Sequence, residues 1–237
     1  MKPVAIFRFA RTEGAGHFAT FLAENGREFR LVLLDEGEPV PCDASQFAGL
    51  GFMGGPMSAN DELAWTQPVL ALMRDAVAKE VPVIGHCLGG QLLARALGGK
   101  VSRNPVVEIG WVPVAAEPTA QAADWLGGRE RFDAFEWHYD TFTIPPGGAR
   151  IFGGSTCANQ AYVVAGRHLG MQCHVEVNAE MIDTWCSVGA DEISEHYGKS
   201  PAVQDAVTIR TEMTRKLVQL TSAASALYAR WTKGLRQ

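Results

Sequence analysis

Gly85-His86-Cys87-Leu88-Gly89-Gly90 sets a cysteine among glycines, just after the apolar run Val81 to Ile84 and before the helical pattern Leu92 to Leu97. This spacing predicts strand, tight turn and helix, with Cys87 at the tip of the turn, the thiol version of a nucleophile elbow. The glycines allow a sharp backbone and leave room around the sulfur. The helix that follows aims unpaired N–H groups and a partial positive charge at Cys87. That favours the thiolate, which is the nucleophilic form. The plainer reading is a buried cysteine that only packs; Gly85, Gly89 and Gly90, placed as they are, weigh against it.

A cysteine nucleophile needs a base, and the base needs a group to orient it. Two histidines have an acid two residues on: His138-Tyr139-Asp140 and His174-Val175-Glu176. On an extended strand, residues two apart share a face, so either acid could hold its histidine. His174 follows the strand-like run Gly170 to Cys173, at the kind of carboxyl end where catalytic groups gather in open α/β sheets. His138 lies among aromatic and turn residues, a better place for a pocket wall. His86 adjoins Cys87 but points the opposite way, and His17, His168 and His196 have no acid at a helpful spacing. Cys173, His174 and Glu176 do not converge on one face, so no metal site is expected. Attack on a carbonyl also needs an oxyanion hole. The N–H of Leu88 is one donor, and the loop Gly54-Gly55-Pro56 is suited to supply the other.

These groups need a scaffold. Val4 to Phe9, Phe29 to Leu34, Leu50 to Met53 and Val81 to Ile84 read as strands. Helices are predicted at about His17 to Glu24, closed by Asn25-Gly26, and at about Glu62 to Ala78, with Leu63, Val69, Leu70, Met73 and Val77 on one side. Strand alternating with helix is the signature of a mostly parallel sheet. Shorter strands then follow at Val106 to Val114, Phe132 to Trp137, Thr141 to Ile144, Ala161 to Val164 and Gly170 to Val175, suggesting an antiparallel annex. A final amphipathic segment, Ala202 to Trp231, is read as helical, with a break near Thr221-Ser222. It packs on its own core or serves as a homodimer face.

Gly14-Ala15-Gly16-His17-Phe18-Ala19, with Asp35 further on, outlines a dinucleotide fingerprint. Ala10 to Glu13 separate its first glycine from the strand, and Glu13 would place a negative charge near the phosphates. The segment is therefore read as a flexible loop near the sheet's functional edge. The 237 residues are 47% hydrophobic and 20% charged, with net charge −5 and pI about 5.7. A general nucleic-acid or acidic-membrane surface does not fit that balance. Five cysteines without a C-x-x-C spacing fit a reducing cytoplasm, and no signal peptide is evident.

Four stretches together resemble the class I, triad-type glutamine amidotransferases, most of all stand-alone members related to the GMP-synthase amidotransferase domain. They are Gly54 to Ser58, Gly85 to Gln91, Trp137 to Asp140 with Phe142 and Pro145, and Gly170 to Glu176, in the family's order. The resemblance covers roughly residues 3 to 190 of one amidotransferase-like domain, 1–237, with a C-terminal helical extension from about 191. It implies a flavodoxin-like α/β fold with helices on both faces of the sheet. It further implies Cys87 as nucleophile, His174 as base, Glu176 as its orienter, and Gly55 and Leu88 as the oxyanion hole. Gln91, Trp137, His138, Tyr139 and Asp140 would contact substrate. The implied substrate is glutamine or another γ-glutamyl compound, with no metal or organic cofactor. A separate synthetase subunit is the partner such a chain would serve. Two departures stand out: His174-Val175-Glu176 replaces the usual His-Pro-Glu, and Tyr139 replaces a common glycine.

Overall fold

Alternation along the first strand explains the layers. In β1 (Val4–Arg8), Val4 and Ile6 join one buried cluster, whereas Ala5 and Phe7 join another. Successive side chains on a strand point to opposite faces, so a run buried throughout must be covered on both sides. A computed structural model describes residues 2–236 and has that arrangement. Helices α2 (Thr66–Ala78) and α3 (Leu88–Ala96) cover the face of Ala5 and Phe7. The other face is covered by α1 (Gly16–Glu24), α4 (Ala120–Leu126), α5 (Ala179–Val188), α6 (Ala190–His196) and α7 (Ala206–Thr232).

The sheet adds β2 (Phe29–Leu33), β3 (Gly49–Phe52), β4 (Val83–His86), β5 (Val101–Ala116), β6 (Arg131–Phe142), β7 (Gly148–Gly153), β8 (Ala161–Val164), β9 (His168–Met171) and β10 (Ala202–Val203). Its order is β10-β5-β7-β8-β9-β4-β3-β1-β2, with β6 on the other side of β5. Strands β2, β1, β3, β4 and β9 pair parallel in that order. The carboxyl ends of β9, β4, β3 and β1 therefore lie side by side, and the loops leaving them share one edge. Strands β5 to β9 make the antiparallel part.

Several boundaries differ from the sequence reading. Helix α2 begins at Thr66, not Glu62. Pro68 explains this: its ring clashes with a carbonyl four residues back, so it belongs in the first turn. The annex strands are longer than expected, 16 residues for β5 and 12 for β6, and β6 runs unbroken through His138 to Asp140. Strand β9 ends at Met171, and His174 is held by one antiparallel bridge to Phe135, with its N–H donating to the Phe135 carbonyl at 2.8 Å. Helix α7 starts after Asp205, whose carboxylate accepts from the Thr208 N–H at 2.8 Å, and it continues through Thr221-Ser222 without a break. Its Leu227, Tyr228 and Trp231 are buried in the same cluster as Ile6. Among the described residues, no helix is long and apolar enough to cross a membrane.

Candidate active site

Cys87 sits between β4 and α3 with φ 47° and ψ −106°, a region that side-chain-bearing residues rarely adopt. Such a conformation costs on the order of 1–3 kcal/mol and persists only where neighbours enforce it. The glycines show what enforces it. A Cβ on Gly85 would lie 2.4 Å from the Gly89 carbonyl, one on Gly89 2.3 Å from the Phe52 carbonyl, and one on Gly90 2.2 Å from the Met171 carbonyl. The elbow is thus wedged between β3 and β9, and side chains would force it open. Leu88 is the first residue of α3, so its N–H has no acceptor within the helix. Gly89 is different, since its N–H donates to the Met53 carbonyl at 3.1 Å.

His174 lies beyond β9, next to this elbow. Its Nδ1 is 2.7 Å from Glu176 Oε1, and both side chains are buried. Burial alone would lower the His174 pKa. The charges of Glu176 and Cys87, together with the hydrogen bond to Glu176, outweigh burial and hold it well above the usual histidine value. For Glu176, burial works upward, but His174 and His86 hold the carboxyl below its ordinary value. The indole of Trp185 packs edge-on against His174, with ring centroids 4.7 Å apart. Burial pushes the Cys157 thiol up to about 12 and raises Cys173 and Cys186 above the usual thiol value, which leaves them poor sources of thiolate.

A cavity of about 580 Å³ opens over Cys87 and His174, lined also by Gly55, Gln91 and the segment Trp137 to Asp140. Leu88 and Glu176 stand behind that lining. Gly55 lies against Leu88, where an added Cβ would come 2.8 Å from Leu88 Cδ2. Gln91 is buried and donates to Gln172 Oε1 at 3.1 Å and to the Asp140 carbonyl at 3.3 Å. Trp137 Nε1 and the Tyr139 hydroxyl both donate to Glu192 Oε2, at 3.0 and 2.7 Å. The Asp140 carboxylate accepts from the Ser58 hydroxyl at 2.8 Å and lies 3.6 Å from Arg103 Nε. His138 reaches the cavity wall, but both its ring nitrogens are engaged. Nδ1 meets the Asp140 carbonyl at 2.9 Å and Nε2 meets Glu108 Oε2 at 2.7 Å.

Residues not singled out for the site from sequence complete it. Gln172 Nε2 lies 3.6 Å from Cys87 Sγ, within reach for a hydrogen bond to sulfur. Its place just before Cys173-His174 was the available signal. Glu108, buried in β5, also accepts from Thr156 Oγ1 and Gln160 Nε2. Glu13 lines the cavity from the loop after β1. The Gly14-Ala15-Gly16 motif has a local purpose there. Gly16, at φ +44°, approaches the Glu176 carbonyl so closely that a Cβ would lie 2.0 Å away, and the His17 N–H donates to that carbonyl at 2.7 Å. The start of α1 thus holds the Glu176 backbone. Glu108, His138 and Cys157, like Glu13, His174 and Glu176, bring donor atoms within 4.8 Å of one another; within these groups His138 is hydrogen-bonded to Glu108 and His174 to Glu176.

A parallel sheet with an elbow cysteine and a histidine–glutamate pair at its carboxyl edge defines a class, and the comparisons place the chain within it. Residues 19–185 match the family model for glutamine amidotransferase class-I, and the chain belongs to that family. It is 37% identical over 196 residues to the GMP synthase [glutamine-hydrolyzing] of Aeropyrum pernix, a match covering 74% of this chain and 35% of that protein, so the chain spans about a third of that relative. It is 25% identical over 182 residues to gamma-glutamyl peptidase 2 of Arabidopsis thaliana, covering 73% of each. The solved structure of a glutamine amidotransferase from Methylobacillus flagellatus superimposes with a TM-score of 0.98 at 48% identity, over 100% of this chain and 96% of that one. The fold is that of the class I amidotransferases.

Proposed function

We propose that the chain hydrolyses a γ-glutamyl amide through a thioester on Cys87. The observation that carries this reading is the meeting of a strained elbow cysteine and a buried His174–Glu176 pair in one cavity. The Cys87 thiolate attacks the amide carbon, forming a C–S bond, and the oxygen takes the negative charge between the N–H groups of Gly55 and Leu88. His174, protonated, gives its proton to the departing nitrogen as the C–N bond breaks, releasing ammonia when glutamine is the substrate. His174 then takes a proton from water as that water attacks the thioester, and glutamate leaves as the C–S bond breaks. Glu176 holds the ring and stabilises its charge throughout. Removal of one oxyanion donor typically costs about 3 kcal/mol of transition-state stabilisation. Gln91 and the wall from Trp137 to Asp140 hold the glutamyl end.

The relationship to GMP synthase supports a role as an ammonia donor to a separate synthetase. A second reading, an independent γ-glutamyl peptidase, is favoured by a cavity of about 580 Å³ with Tyr139 and Arg103 at its wall, which gives space for a leaving group larger than ammonia. Cys87→Ala abolishes turnover and labelling by a glutamine-like electrophile; full activity in that variant would sink the mechanism. Assay of the purified chain on glutamine and on γ-glutamyl dipeptides separates the two readings. Fast dipeptide cleavage without a partner favours the peptidase, and slow glutaminase activity raised by a synthetase favours the donor.

A further inference from the structure

Glu13 is a buried acid that this mechanism leaves unused. The loop that carries it, between β1 and α1, is tied down on three sides. Trp185 Nε1 donates to the Thr12 carbonyl at 2.7 Å, the Glu13 N–H donates to the Ala10 carbonyl at 3.0 Å, and the start of α1 holds the Glu176 carbonyl. Glu13 Oε2 is enclosed and has no hydrogen-bond partner among the described residues. The space that a Gly54 Cβ would fill is bounded by Glu13 Oε2 at 2.6 Å and by His174 Cε1 at 2.8 Å. A carboxylate oxygen of Glu13, one of Glu176 and a ring nitrogen of His174 all lie within 4.8 Å of one another. An unpartnered carboxylate in such a place costs stability. A glutamine of the same shape would carry no charge there, so the charge itself calls for an explanation.

We propose that Glu13 is a positioning residue for His174: a second carboxyl, beside that of Glu176, whose negative charge stabilises the imidazolium formed when His174 takes the Cys87 proton. The proposal rests on Cys87 and His174 acting as the reacting pair. In a partly dry site such a charge acts strongly, because the local dielectric is low. Burial, with Glu176 adding to it and His174 opposing, raises the Glu13 pKa to about 7. Glu13 therefore gains its charge across the neutral range, whereas Glu176, held low by His174, carries its charge well below that range. The other groups coupled to this pair are Cys87 at the elbow, Glu136 on β6 and His86 on β4. Burial and Glu108 hold the Glu136 pKa well above the usual carboxylate value, and burial lowers that of His86, so neither takes the place of the Glu13 charge.

The test reads His174 directly and needs no substrate. In the full chain carrying 13C-labelled histidine, the Cε1–H signal of His174 is assigned by its loss in His174→Asn and followed with pH in wild type, Glu13→Gln and Glu13→Asp. Glu13→Gln is expected to lower the His174 titration by about one pH unit or more, and Glu13→Asp to restore most of the shift, as for an opposite charge a few ångströms away. On the preferred γ-glutamyl substrate, the alkaline limb of kcat/KM moves down with it. Wild type and Glu13→Gln converge below about pH 6, where Glu13 is uncharged, and differ by about tenfold above pH 8. An unmoved His174 titration in folded Glu13→Gln would overturn the proposal, as would equal loss in Glu13→Gln and Glu13→Asp at every pH. Failure of the thioester mechanism itself would show separately, as turnover surviving in Cys87→Ala.

Discussion

His138-Tyr139-Asp140 and His174-Val175-Glu176 have the same spacing and different hydrogen-bond partners. In the first, β6 is a regular strand, and Glu108 is the cross-strand neighbour of His138. That neighbour captures Nε2 at 2.7 Å, while Asp140 turns its carboxylate to Ser58 and offers His138 only its carbonyl. A carbonyl can only accept, so His138 Nδ1 donates to it, and Nε2 is left to meet Glu108. In the second, the chain has left β9, and only one bridge, to Phe135, holds it. No cross-strand partner competes, so the ring closes on Glu176 and faces Cys87. Two residues apart on one face is therefore necessary and not sufficient. The directly opposite residue on the next strand decides which acid a histidine takes.

Substitutions sharpen that contrast. His174→Asn is expected to act chiefly on activity, lowering kcat/KM by about 10³-fold or more, because general acid–base groups typically contribute 10²- to 10⁴-fold while the Asn amide can still donate to Glu176. His138→Leu reverses the balance. It leaves Glu108 buried beside Glu136 without its histidine partner and costs about 3–5 kcal/mol in denaturant unfolding, while activity per folded molecule stays within about tenfold of wild type. A larger activity loss at His138 than at His174 would break the comparison.

Removing a buried group should also act on stability oppositely in the two regions. Glu13 is a carboxyl whose folded pKa is raised from 4.5 to about 7. Between those values the folded state binds the extra proton, so stability falls as pH rises through the window, and the whole cost is present above about pH 7. Glu13→Gln is therefore expected to be more stable than wild type by about 1–3 kcal/mol at pH 8, allowing for solvent screening at the cavity mouth, and equal to it near pH 4.5. Chemical unfolding at the two pH values checks this.

The groups proposed to react were legible because their signals are local. Gly85, Gly89 and Gly90 mark close backbone approaches, and alternation along the first hundred residues marks the parallel sheet. The supporting groups were hidden because their partners are distant in sequence. Glu108 looks like an ordinary polar residue in a strand until β6 is placed beside it. Glu13 read only as an argument against dinucleotide binding, and Gln172 only as part of a buried run. Glu192 lies on α6, which with α4 and α5 the sequence reading did not assign. The short helix α4 is capped by Thr119, which accepts the Ala122 N–H at 3.1 Å, but its seven residues are too few to show a helical period. The strand expected to reach Val175 ends at Met171, because the residues after it lack a continuous partner and turn toward the elbow.

The central claim is that Cys87 carries the covalent intermediate, and peptide mapping after acid quench addresses it most directly. Wild-type protein mixed with its preferred γ-glutamyl substrate and quenched within a turnover is digested and analysed by mass spectrometry. The expected result is one γ-glutamyl group per chain on the peptide containing Cys87, accumulating in a variant impaired in thioester hydrolysis. A γ-glutamyl group on Cys157, Cys173 or Cys186, or turnover with no adduct on any cysteine under conditions that trap thioesters, would contradict the account.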